Sequence, residues 1–96
     1  MLFRSTEIGD RAREGTSYGN LGNVFHSLGE YVKAKEYYEK ALAISTESGD
    51  RAGEGRWCTN LGHVFYSFGE YVKAKEYYEK ALARKLARKL VTSQQK

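Results

Sequence analysis

One feature constrains this 96-residue chain more than any other: a single segment is written twice. Ser5-Thr6-Glu7 recurs as Ser45-Thr46-Glu47, and Gly9-Asp10-Arg11-Ala12 recurs as Gly49-Asp50-Arg51-Ala52. The run from Gly29 to Ala43 returns unchanged as Gly69 to Ala83. Between 5–44 and 45–84, ten of forty aligned positions differ. A period of this length commits a chain to stacked supersecondary units, because each unit is too small to bury its apolar face alone.

Within a unit the apolar spacing is helical. Tyr18, Leu21, Val24, Phe25 and Leu28 share a stripe that predicts a first helix over about 11–28. Tyr31, Ala34, Tyr38, Ala41 and Leu42 predict a second over about 30–47, with Glu36 and Lys40 as a favourable i,i+4 pair on its outer side. Gly29 breaks the chain between them. At the unit boundary, Gly9-Asp10 and Gly49-Asp50 each read as a C-cap glycine followed by an N-cap aspartate. The second copy repeats the pattern over about 51–68 and 70–91. The expected division is a remnant of a preceding repeat helix over 1–9, unit 1 over 10–48, unit 2 over 49–83, and a basic helical extension and tail over 84–96. Leu2 stands where Leu42 and Leu82 stand.

Charge and cysteine content narrow the function. The net charge of +4 is concentrated in 84–96, which hold five basic residues and no acid, while 1–83 carry 11 basic and 12 acidic side chains. A nucleic-acid domain is expected to carry its basic face on the fold itself, so no nucleic-acid partner is predicted. No apolar run approaches the roughly 20 residues that span a bilayer, and the opening residues lack a secretory apolar stretch, so no membrane association is predicted. Cys58 is the only cysteine, which makes a reducing, cytoplasmic setting the expectation.

The residues within each unit resemble the tetratricopeptide repeat family. Its ladder of large and small side chains is met by Tyr18, Leu21, Gly22, Phe25, Ala34, Tyr38 and Ala41, with Thr46 where proline is usual. The second copy reads Cys58, Leu61, Gly62, Phe65, Ala74, Tyr78 and Ala81, then Leu86. The resemblance implies an all-α fold of two antiparallel helix pairs stacked as a short right-handed solenoid, with an extended C-terminal helix. The period of 40 departs from the usual 34 and is most similar to Pins-type polarity scaffolds. Kinesin light chains are a more distant likeness.

The resemblance also implies that the first helices line a concave face that grips peptide segments of a protein partner. On the first helix the stripe opposite the core is Thr16, Gly19, Asn20, Asn23, His26 and Ser27. Its counterpart is Arg56, Thr59, Asn60, His63, Tyr66 and Ser67. An asparagine amide carries a donor and an acceptor, so Asn20 and Asn60 suit a bound peptide's main chain. Arg56 offers a fork for a carboxylate and Tyr66 a flat apolar contact. The plainer reading of the same residues is an ordinary solvated face.

No catalytic constellation is present, and no enzyme activity or cofactor is predicted. Neither His26 nor His63 has an acid or cysteine at ligand spacing on its helix, so no metal is assigned. Cys58 holds a ladder position, where a small packing role fits better than a reactive thiol. Glycines 49–55 follow no strand and form no phosphate loop. Two repeats leave open ends, and Leu82, Leu86, Leu90 and Val91 continue an apolar stripe where a further unit would start. Self-association through these ends is expected, by end-to-end stacking or as a domain-swapped dimer. A purely structural or assembly unit, a truncated or engineered piece of a longer array without a ligand, is the alternative.

Overall fold

Three glycines decide where the chain turns. Gly29, Gly49 and Gly69 adopt φ of +79°, +74° and +82°, a region that side chains with a Cβ rarely enter. At the first turn Gly29 N–H donates to His26 O at 3.0 Å, and Glu30 N–H donates to Phe25 O at 2.8 Å. The same two bonds recur at Gly49 with Asp50 and at Gly69 with Glu70. This pair closes the last carbonyls of each helix and sends the chain back antiparallel.

The computed structural model describes residues 2–94, with side chains from 9 to 86. It contains four helices: α1 (Leu2–Ser27), α2 (Tyr31–Ser48), α3 (Arg51–Phe68) and α4 (Tyr71–Gln94). Each packs on the next in chain order, so the two hairpins stack through the α2–α3 seam. Every element among the described residues is helical, and the architecture is a short helical-repeat solenoid. No described helix is long and apolar enough to cross a membrane.

Small residues set the distance between paired helices. A Cβ on Gly22 would stand 2.6 Å from the Tyr38 ring, and one on Gly62 equally close to the Tyr78 ring. Ala34, Ala41 and Ala74 are buried opposite. Trp57, Cys58, Leu61, Val64 and Phe65 fill the seam and the second hairpin, where Phe65 stacks on Tyr77 at 5.3 Å. Burial pushes the Cys58 thiol above its ordinary pKa, against only partial relief from Arg84 and Lys80. Its reactive thiolate form is therefore disfavoured.

One boundary differs from expectation. Gly49-Asp50 forms the predicted turn: Asp50 caps α3, its Oδ1 accepting from Gly53 N at 2.9 Å. Gly9-Asp10 does not, and α1 runs straight through both. The two copies differ on both sides of the dipeptide, Ile8 against Ser48 before it and Arg13 against Gly53 after it. The cap is closely packed: a Cβ at Gly53 would meet Asp50 Oδ2 at 2.3 Å and Ser45 Oγ at 2.6 Å, so both side chains would have to shift to admit one. The first copy has Arg13, which pairs with Asp10 at 3.5 Å along a continuous helix.

A second difference concerns Arg84, which replaces Ile44 of the first copy. Its guanidinium reaches a buried carboxylate on α3. Nη2 donates at 3.1 Å to Oε2 of Glu54, which is 5% exposed and also accepts from Thr46 Oγ1 at 3.0 Å. Arg84 Nε, also buried, has no partner. The α3–α4 packing thus contains an ion pair that the first unit lacks: Glu14, its counterpart of Glu54, turns to the exposed Arg11.

Candidate protein-interaction surface

Helices α1 and α3 run side by side and share a polar strip. Three contacts tie them together. Asn60 Nδ2 lies 3.5 Å from Asn23 Oδ1, Ser67 Oγ lies 3.5 Å from His26 Nε2, and the Trp57 ring covers Gly19. The strip is therefore one continuous surface rather than two separate helix faces.

Most of the residues expected on it are there. Thr16, Asn20, Asn23, Ser27, Arg56, His63, Tyr66 and Ser67 are exposed, while His26, Thr59 and Asn60 are half-buried. Gly19, expected on this face, is the exception. It is buried, and a Cβ on it would stand 2.0 Å from the Trp57 ring, so it is a floor for Trp57 and not a contact for a ligand. Thr16 and Thr59 bond back to their own helix, to Ala12 O at 3.2 Å and Gly55 O at 2.9 Å. Arg56 holds its guanidinium 5.7 Å from the Trp57 ring centre.

The second helices reach the strip through their tyrosines, which spacing on the first helices alone does not reveal. Tyr38 Oη donates to Asn23 Oδ1 at 2.5 Å. In the second unit Tyr78 Oη and His63 Nδ1 lie 2.7 Å apart. Burial raises the pKa of Tyr38, and burial with the nearby Tyr66 raises that of Tyr78. Both phenols are therefore protonated over the physiological range. Asn23 and His63 stand at the same repeat position and take the same partner. The signal in the sequence was the recurrence of Tyr38 as Tyr78, read only as core.

The rear of the stack is open and apolar. Tyr66, Tyr71, Ala74, Lys75, Tyr78, Glu79 and Leu82 line a groove of about 560 Å³. Leu82 and Leu86 are exposed, as expected for open-end residues. Leu90 and Val91, assigned the same role, lie outside the residues whose side chains are described. At the front, Leu21, Val24 and Leu28 are exposed on the outer side of α1. Among the described residues, no three His, Cys, Asp or Glu side chains are grouped to hold a metal.

The tetratricopeptide repeat family model matches residues 6–87, most of the chain and both hairpins. The chain belongs to the tetratricopeptide repeat family. Such repeats act generally as protein–protein interaction scaffolds, and typically without catalysis. A search of the curated proteins returned no significant match. In this tetratricopeptide pair the polar strip lies on the first helices, and apolar side chains are exposed on the outer faces of α1 and α4 among the described residues.

Proposed function

We propose that this repeat pair is a non-enzymatic adaptor or scaffold element that holds a peptide segment of a partner across α1 and α3. The reading also includes self-association through the open repeat ends. The observation that carries it is the continuity of the polar strip: Asn20, Asn23 and Asn60 lie along two helices joined by direct side-chain contacts. An amide row at helical spacing offers paired donors and acceptors to an extended main chain. Arg56 and Tyr66 flank that row with a carboxylate fork and an aromatic face. The period of 40 supports placing the chain with long-period arrays of the Pins type. The single buried thiol supports a reducing, cytoplasmic setting. The division into a leading remnant, units over 10–48 and 49–83, and a basic extension belongs to the same reading.

Peptide panning tests the groove. Peptides selected on the wild-type chain are expected to lose most of their binding to the double variant Asn20→Ala/Asn60→Ala, with helicity unchanged. Binding retained in full by that variant rejects recognition through the amide row. The assembly reading, without a peptide ligand, is favoured by a different observation: apolar residues stand exposed at both ends of the stack.

A further inference from the structure

The chain contains a worked example of how its own rear face is covered. In the α2–α3 seam, Tyr38 stacks against Trp57 with ring centres 6.1 Å apart, and Tyr31 meets Phe68 edge-on at 6.0 Å. Leu61 and Val64 sit between them with no exposure. Forty residues on, the rear face repeats the receiving half of that seam as Tyr71, Ala74, Tyr78 and Leu82, with Tyr71 and Leu82 exposed, Tyr78 half-buried and Ala74 at the floor, covered by its own hairpin. Forty residues back, α1 repeats the inserting half. Leu21, Val24 and Leu28 correspond to Leu61, Val64 and Phe68, and they are 41%, 53% and 64% exposed.

We infer that a second copy of this chain is the occupant: the outer stripe of α1 in one molecule seats on the α4 face of the next, in the register of the α2–α3 seam. This rests on the proposed self-association through open ends and specifies its partner, faces and register. The two faces belong to opposite ends of one molecule, so they cannot meet within it.

Three observations support this register. First, the polar contacts have counterparts. Asn60 beside Asn23 becomes Asn20 beside the neighbour's His63, and Ser67 beside His26 becomes Ser27 beside the neighbour's Tyr66. Second, the sizes match in kind. The internal seam sets Trp57 over Gly19, whereas the seam between copies sets Ser17 over Thr59: a large residue meets none, and a small one meets a small one. Third, the helix ends clear each other. Ser48 ends α2 and corresponds to Arg88, so α4 runs six residues further, to Gln94. Arg51 starts α3 and corresponds to Arg11, so α1 starts nine residues earlier, at Leu2. Both overhangs leave the seam at the same end and run antiparallel to each other.

Exchange of hairpins between copies does not answer the same need. A swap at the Gly49 turn rebuilds the internal seam and leaves both the α1 stripe and the rear groove open. Stacking covers both. It is a heterologous contact, so it propagates instead of closing at two. The seam lacks the Trp57 stack and the Thr46–Glu54 hydrogen bond, whose counterparts are Ser17 and Leu86 beside Glu14. It is the weaker of the two, and assembly depends on concentration.

Two surface variants decide it by sedimentation equilibrium. Leu21→Glu spoils the front only, and Leu82→Glu spoils the rear only. Wild type is expected to rise in mean mass with concentration, past twice its 10.9 kDa. Each variant alone is expected to stay near 10.9 kDa, and an equimolar mixture to reach twice that mass and stop, because one sound seam remains. If Leu21→Glu still dimerises alone, the contact is rear to rear; if Leu82→Glu does, it is front to front; if both do, it is a swap. Each of these overturns the register but keeps self-association. A wild type that stays monomeric throughout overturns both. Should either variant lose helicity, Leu28→Glu and Leu86→Glu spoil the same two faces at exposed positions.

Discussion

Leu21 and Leu61 occupy the same place in the two units, yet Leu61 is wholly buried and Leu21 is 41% exposed. Tyr38 and Tyr78 diverge in the same direction: one is buried against Trp57, the other lines an open groove. The contrast shows that burial in a repeat protein is a property of the junction, not of the unit. Each hairpin presents an inserting face and a receiving face, and only a neighbour completes either. Identical residues therefore carry different stabilities according to which side of a seam they occupy.

Substitution at matched positions sharpens this contrast. The largest effect is expected at Leu61→Ala, which opens a cavity in the completed seam and costs about 3 kcal/mol. Leu21→Ala is expected to cost less than about 1 kcal/mol at concentrations where the chain is a monomer. Urea unfolding followed by helical circular dichroism measures both, and equal losses would break the comparison. Next in size is Arg84→Ile, which restores the first unit's residue but removes a partner from buried Glu54. A loss of about 1–2 kcal/mol is expected by the same measurement, moderated because Glu54 keeps Thr46. The smallest pair concerns the unit boundary. Asp50→Ala removes a working cap and is expected to cost about 1 kcal/mol, whereas Asp10→Ala is expected to fall within about 0.5 kcal/mol of wild type.

Much of the fold is legible in the sequence because its signals are local. Glycine at 29, 49 and 69 marks three turns, and the helical spacing of Tyr31, Ala34, Tyr38 and Ala41 marks the face that packs. The straight run of α1 through Gly9-Asp10 was not legible from the cap signals, which are the same dipeptide as at 49–50. The flanks differ, with Ile8 against Ser48 before the dipeptide and Arg13 against Gly53 after it, and no cap signal weighs either exchange. The polar strip was legible as a stripe opposite the core, since one helix dictates which side chains share a face. The role of Gly19 was not, because Trp57 approaches it from the next unit. The link from Tyr38 to Asn23 crosses between helices, and the burial of Glu54 depends on Arg84 thirty residues away. Neither is visible to any single-helix pattern.

The missing side chain at position 53 has a consequence for how such an array can grow. The Asp50 carboxylate and the Ser45 hydroxyl occupy the space where a Cβ would stand, so a larger residue there must displace both polar groups from the junction. An array lengthened by duplicating the second segment inherits this close packing at each new junction. One lengthened by duplicating the first carries an arginine there instead, and its junction must accommodate a long cation beside the capping carboxylate.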